Sequence, residues 1–158
     1  MWKKYKSYII SILIALAAGG LSAFLTRNNM NIYDTIKTPP LSPPGWLFPV
    51  VWSILYILMG IGAARVYETG KNENKDVSYS LKIYALQLAV NFFWSVIFFN
   101  IQAYPASFIW LVLLWILIVK MIKEFNKTDK LAANLQIPYL LWVTFAGYLN
   151  FMIWMLNK

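Results

Sequence analysis

Five stretches of this chain are each long and apolar enough to cross a bilayer, and a chain built that way cannot close as a water-soluble globule. A hydrocarbon core about 30 Å thick takes about 20 apolar residues in helical form. Tyr8–Thr26, Trp46–Tyr67, Tyr79–Ile101, Pro105–Ile122 and Leu131–Leu156 meet that length. Each must be helical, because an unpaired backbone group in lipid costs several kcal/mol, and no period-2 pattern points to a barrel. Composition agrees: 60% of the 158 residues are hydrophobic and 13% charged, the reverse of a domain that keeps a charged surface in water. The expectation is an all-α integral membrane protein, one five-helix domain over residues 1–158 with an internal ligand cavity.

A secretory signal is the competing reading of the first stretch, since Lys3, Lys4 and Lys6 precede an apolar run and Ala15-Leu16-Ala17 resembles a cleavage site. The run from Tyr8 to Leu25 is longer than a typical signal core, so it is read as the first helix. Between the stretches lie Arg27–Gly45, Glu68–Ser78, Gln102–Tyr104 and Lys123–Lys130. Pro39-Pro40 and Pro43-Pro44-Gly45 make the first connection a stiff, partly extended cover. The third is so short that the helices it joins must be antiparallel neighbours.

The net charge of +8 does not point to nucleic acid, because the basic residues sit in short segments between apolar stretches. With an odd number of spans the termini lie on opposite faces. Eleven of the fourteen Lys and Arg fall on the N-terminal side, and only Arg27, Lys37 and Lys158 on the other. In a bacterial plasma membrane, the membrane expected here, that bias places the N-terminus in the cytoplasm. Lys120, Lys123, Lys127 and Lys130 are interspersed with Glu124 and Asp129, which reads as the orientation signal and not as an anionic-lipid site. Val77-Ser78-Tyr79-Ser80-Leu81-Lys82 fits a sterol pattern too loose to carry weight.

All six acidic residues lie in connections or at helix ends, which disfavours a proton relay or an ion-coupled carrier. Without His or Cys the usual zinc, copper and haem ligands are gone, so no metal site and no required cofactor are expected. No paired carboxylates, Ser-His-Asp set or glycine-rich phosphate loop is present.

What the spans do hold is aromatic surface: eight Trp, ten Tyr and ten Phe, with Trp52, Trp94, Trp110, Trp115 and Trp142 away from the interfaces where aromatic belts sit. An indole N–H in lipid needs a partner. Helical spacing collects Gln87, Asn91, Trp94 and Ser95 on one face of the third span. Pro138, Trp142, Ala146, Leu149 and Asn150 share a face of the fifth, and Trp52, Tyr56 and Gly60 one of the second. Singly, each polar residue reads equally well as interhelical glue worth up to ~2 kcal/mol. Three inward stripes together read as a lining. Ala15, Gly19 and Ala23, and Gly60 with Ala64, let backbones approach closely, within the bundle or in a homodimer.

Pro43-Pro44-Gly45-Trp46, Phe48-Pro49-Val50-Val51-Trp52, Leu55-Tyr56 and Met59-Gly60 resemble the signature opening the second helix of the tryptophan-rich sensory protein / translocator protein (TspO/MBR) family, once called peripheral benzodiazepine receptors. Gln87 to Trp94 with Phe98-Phe99, and Pro138 to Trp142 with Phe145-Ala146 and Leu149-Asn150, resemble its third- and fifth-helix blocks. The resemblance covers nearly the whole chain. It implies a five-helix bundle, often dimeric, whose cavity opens under the first connection and takes porphyrins and, in many members, benzodiazepine-type drugs. By motif, Trp52 and Trp142 correspond to the cavity tryptophans, Asn91 to the pocket asparagine, Ala146 and Leu149 to positions beside the ligand, and Tyr33 and Pro44 to the lid. Tyr56 and Trp94 join the ligand-binding set from the stripes.

The chain departs from the pattern at Leu41, where many members carry Trp, at Trp110, where many carry an acid, and at Phe151 and Met155, which replace the aromatic–Arg pair of the animal sterol segment. Sterol binding is therefore not expected to carry over. The functional expectation is a membrane receptor for a porphyrin or other flat hydrophobic ligand, with membrane lipid around it. Tetrapyrrole transport is one alternative, and light-dependent porphyrin degradation using Trp52 and Trp142 is another.

Overall fold

The computed structural model describes residues 2–158. Its helices are α1 (Trp2–Thr26), α2 (Leu47–Asn72), α3 (Ser78–Ser95), α4 (Tyr104–Thr128), α5 (Lys130–Asn134) and α6 (Ile137–Leu156). A 3-10 turn over Met30–Asp34 lies in the first connection, and a π-helical segment over Val96–Ile101 extends α3. Counting that segment with α3 and α5 with α6, five helices are long and apolar enough to cross a membrane. The protein is an integral membrane protein of five spanning helices.

The helices outrun the apolar stretches. α1 starts at Trp2 instead of Tyr8, α2 runs on to Asn72, and α4 to Thr128. The added turns are rich in Lys, with Glu, Asn and Thr, and Lys side chains carry a helix into the headgroup region by extending their charge to water. The fifth span is interrupted at Leu135 and Gln136. Pro138 supplies no N–H and restricts the residue before it, so α6 begins there with proline in its first turn. The π segment ends at Gln102, whose φ of 60° turns the chain sharply into α4.

α2 packs chiefly on α1, and α4 on both α3 and α6, with α1 also touching α3. Gly60 lets α1 come close: a Cβ there would lie 2.5 Å from the Ile12 Cα, and the Ser11 hydroxyl donates to the Gly60 carbonyl at 2.7 Å. Ser22 donates to the Phe92 carbonyl at 3.0 Å and ties α1 to α3. Between the helices, Met59, Val66, Ile118, Met121, Phe125 and Val143 are almost wholly buried.

At the N-terminal end of the bundle, Asp129 caps α5 by accepting from the Ala132 N–H at 3.0 Å. The same carboxylate takes Arg65 at 3.2 Å and the Thr69 hydroxyl at 3.1 Å, so it fastens α2 to the α4–α5 junction. Burial raises the pKa of this carboxyl, but the Ala132, Arg65 and Thr69 bonds outweigh it and hold the group below the usual carboxylate range. Gln136 adds a second tie by donating to the Leu58 carbonyl at 3.1 Å.

Candidate functional site

At the opposite end the first connection folds down as a lid. Its 3-10 turn presents Tyr33, whose hydroxyl donates to the Pro43 carbonyl at 2.8 Å and whose ring meets Phe48 edge-on at 5.1 Å. Burial pushes the Tyr33 phenol above its ordinary range, so it stays a neutral donor. The aromatic line continues from Phe48 to Trp142 at 5.8 Å, Trp142 to Phe145 at 5.7 Å and Phe145 to Tyr148 at 6.1 Å. Tyr148 closes it by donating to the Pro40 carbonyl at 3.0 Å.

Two further ties hold the lid. Asn157 accepts from the Lys37 N–H at 3.1 Å and donates to the Lys37 carbonyl at 2.8 Å. Asn29 donates to Asn100 at 2.8 Å, which donates to the Leu25 carbonyl at 3.0 Å. Pro44 is exposed, and its carbonyl accepts from Leu47 at 3.0 Å as α2 begins. Leu41 stands at the lid's tip, 83% exposed, with φ of 71°, a region in which bulky side chains are strained.

Beneath the lid, the stripes from α2, α3 and α6 meet and bond to one another. Tyr56 donates to the Asn91 side-chain oxygen at 2.8 Å. Asn91 donates to the Tyr139 hydroxyl at 2.7 Å, and Tyr139 donates to Gln87 at 2.7 Å. Trp52 stands against this chain, 5.6 Å from the Tyr56 ring and 6.2 Å from the Tyr139 ring. The space for Tyr56 comes from Gly19 of α1, since any Cβ there would collide with the ring. Ala15 on the same stripe is fully buried and Ala23 is exposed, so the first part of the small-residue stripe is used inside the bundle.

Nearer the lid, a second polar knot centres on Asn150. Its side-chain oxygen accepts from the Trp94 indole and from Ser107, each at 3.1 Å, and its amide donates to the Tyr104 carbonyl at 3.1 Å. Trp94 stacks on Phe98 at 5.2 Å, with Ala146 and Leu149 buried on the inner face of α6.

The structure thus brings Trp52, Tyr56 and Asn91 into one cluster and Trp94 with Asn150 into another. Trp142 sits with Phe48 on the α2 side of α6, and no close ring contact joins it to Trp52 among the described residues. Sequence reasoning passed over Tyr139, the fully buried hub of the polar chain, and Tyr84, although the spacings 139, 146, 150 and 84, 87, 91 were available.

Trp142 also lines an apolar groove of about 400 Å³ between α2 and α6, with Val51, Ile54, Leu55, Pro138, Leu141 and Phe145. Its indole N–H is buried and has no acceptor, whereas those of Trp94, Trp110 and Trp115 donate to Asn150, the Val90 carbonyl and Thr144. A buried donor without a partner costs about 1–3 kcal/mol.

The profile of the TspO/MBR family matches residues 11–155. The chain is 42% identical over 148 residues to the tryptophan-rich protein TspO of Chlorobaculum tepidum, covering 94% of this chain and 92% of that one. It is 45% identical over 125 residues to the protein CrtK of Rhodobacter capsulatus, at 79% and 78% coverage. The translocator protein of Bos taurus is 31% identical over 147 residues, 92% of this chain and 87% of its own. Five spanning helices, a proline-rich lid over a tryptophan-lined seam and a match across almost the whole length agree: the chain belongs to the TspO/MBR family.

Proposed function

We propose that the protein is a membrane-embedded receptor that binds porphyrins and similar flat hydrophobic ligands beside Trp142, beneath the Tyr33–Phe48 lid. The observation that carries this reading is the Trp142 indole N–H, a buried donor with no acceptor, set between the lid aromatics and an apolar groove. A flat apolar ring stacks on such surfaces, and a carboxylate or carbonyl on its edge satisfies the donor. Asn91 stiffens the wall, because Tyr56 and Tyr139 engage one acceptor position and one N–H of its amide. In a bacterial plasma membrane the lysine bias favours an N-terminus in the cytoplasm and the lid on the outer face.

The test is quenching of intrinsic tryptophan fluorescence by protoporphyrin IX in detergent-solubilised protein, corrected for inner-filter loss. Saturable quenching is expected in the micromolar range, and Trp142→Phe should weaken it roughly two- to tenfold, the value of one hydrogen bond. Linear quenching that is the same in wild type and variant would refute the reading.

A further inference from the structure

The groove beside Trp142 opens sideways. Its lining grades from Ile54 and Leu141, 54% and 65% exposed, through half-buried Val51, Trp142 and Phe145 to Leu55, which is buried. Ile54 and Leu141 stand well inside the second and fifth spans, so the exposed rim meets acyl chains and not water. Every side chain of the lining is apolar, Pro138 included. A lipid tail and a hydrophobic ligand exchange along such a surface without stripping water from any polar group.

The backbones of α2 and α6 barely approach one another, whereas α1 packs closely on α2 and α4 on α6. Two fastenings bracket the gap. Towards the N-terminal side Gln136 donates to the Leu58 carbonyl at 3.1 Å, and towards the lid the Phe48 ring meets Trp142 at 5.8 Å. Leu58 and Phe48 are ten residues apart, so the open stretch runs about 15 Å along α2. Within it the helices meet on the buried side only, where the Trp52 ring stands 6.2 Å from that of Tyr139. The lid is the harder way in. Passage from water beneath it must break the Tyr148 bond to the Pro40 carbonyl, both Asn157 bonds to Lys37 and the Asn29 bond to Asn100. Passage between Ile54 and Leu141 breaks none of them.

We infer that the slot between α2 and α6 is a lateral doorway, through which a flat hydrophobic ligand already dissolved in the bilayer reaches Trp142 while the lid stays closed. This rests on the reading of Trp142 as the ligand's hydrogen-bond donor, and it differs from the opening beneath the first connection that the family resemblance implies. The doorway selects ligands that partition into lipid. A highly charged, water-soluble macrocycle finds no cation in the lining to draw it in.

The chain has no cysteine, so engineered pairs can be bridged selectively with a short bismaleimide. Ile54→Cys with Leu141→Cys spans the slot, and Lys37→Cys with Asn157→Cys fastens the lid. Association of protoporphyrin IX with protein in phosphatidylcholine nanodiscs is followed by stopped-flow quenching of tryptophan fluorescence. Bridging the slot should slow association about tenfold or more, and bridging the lid should leave the rate within about twofold of wild type. Should the slot bridge also weaken equilibrium binding, Ile54→Phe with Leu141→Phe narrows the mouth without spanning it and should slow association about threefold or more. Slowing by the lid bridge alone, equal slowing by both bridges, or slowing by neither would overturn the doorway and leave the porphyrin site standing. No saturable quenching in the unbridged protein would remove the site itself, and the doorway with it.

Discussion

Adjacent glycines on α1 offer a sharp test of the packing around the polar chain. A Cβ at Gly19 would lie 2.6 Å from the Tyr56 Cδ2 and 2.8 Å from its Cζ, whereas one at Gly20 meets nothing within 4 Å. The Tyr56 ring has little freedom to retreat, because its hydroxyl is bound to Asn91 at 2.8 Å and Trp52 stands 5.6 Å away. Gly19→Ala should therefore impose overpacking worth about 1–3 kcal/mol. It should also strain or break a buried hydrogen bond worth about 0.6–1.5 kcal/mol. Together these give about 2–4 kcal/mol, a fall in Tm of roughly 5–12 °C for a chain of this size. Gly20→Ala should leave Tm unchanged or raise it slightly, since alanine in a helix gains about 0.5–1 kcal/mol over glycine.

Thermal unfolding in detergent, followed by helical circular dichroism, measures both. Tyr56→Leu supplies the decisive arm: with the ring removed, Gly19→Ala should cost under about 1 kcal/mol. Equal Tm values for the two alanine variants, or an undiminished penalty in the Tyr56→Leu background, would refute the reasoning.

Other consequences can be measured the same way. Asn150→Leu strips acceptors from Trp94 and Ser107 and a donor from the Tyr104 carbonyl, and should lower stability by about 2–3 kcal/mol, with altered Trp94 emission. Gly62→Ala drives a methyl into the Gln136 amide, so its bond to the Leu58 carbonyl should be lost and Tm should fall by several degrees. Asp129 has a folded pKa below its unfolded value, so its contribution is full above about pH 4 and disappears as pH falls through the folded value. The stability of an Asp129→Asn variant should accordingly vary less than wild type between pH 5 and pH 3. Trp142→Phe should leave Tm nearly unchanged, because its N–H makes no internal bond, and a large fall would show that the indole is structural.

The spans were legible because lipid imposes a length and forbids an unpaired backbone, and the family resemblance followed from motifs placed in order along them. Inward placement of Gln87, Asn91 and Asn150 was equally legible, since a four-residue polar spacing in an apolar helix has one low-energy orientation. Hidden from the sequence was what these residues would touch. That Asn91 is bonded by Tyr56 and by Tyr139, a residue that looks like ordinary apolar filling, shows only in the structure. The π segment was invisible because a one-residue widening of the hydrogen-bond ladder leaves no periodic trace over six residues. The interruption at Leu135 and Gln136 did have a signal in Pro138, but hydropathy alone runs straight across it.

The paired bonds between Asn157 and Lys37 have a practical meaning for handling the protein. They join Asn157, just past the end of α6, to the middle of a cover stiffened by four prolines, so chain attached after Lys158 leaves within one residue of that tie. A purification tag fused directly after Lys158 is expected to load those two bonds, while one placed before α1 sits at the far side of the bilayer. Ligand affinities measured on C-terminally tagged protein should be compared with tag-free material before they are taken to describe the closed lid.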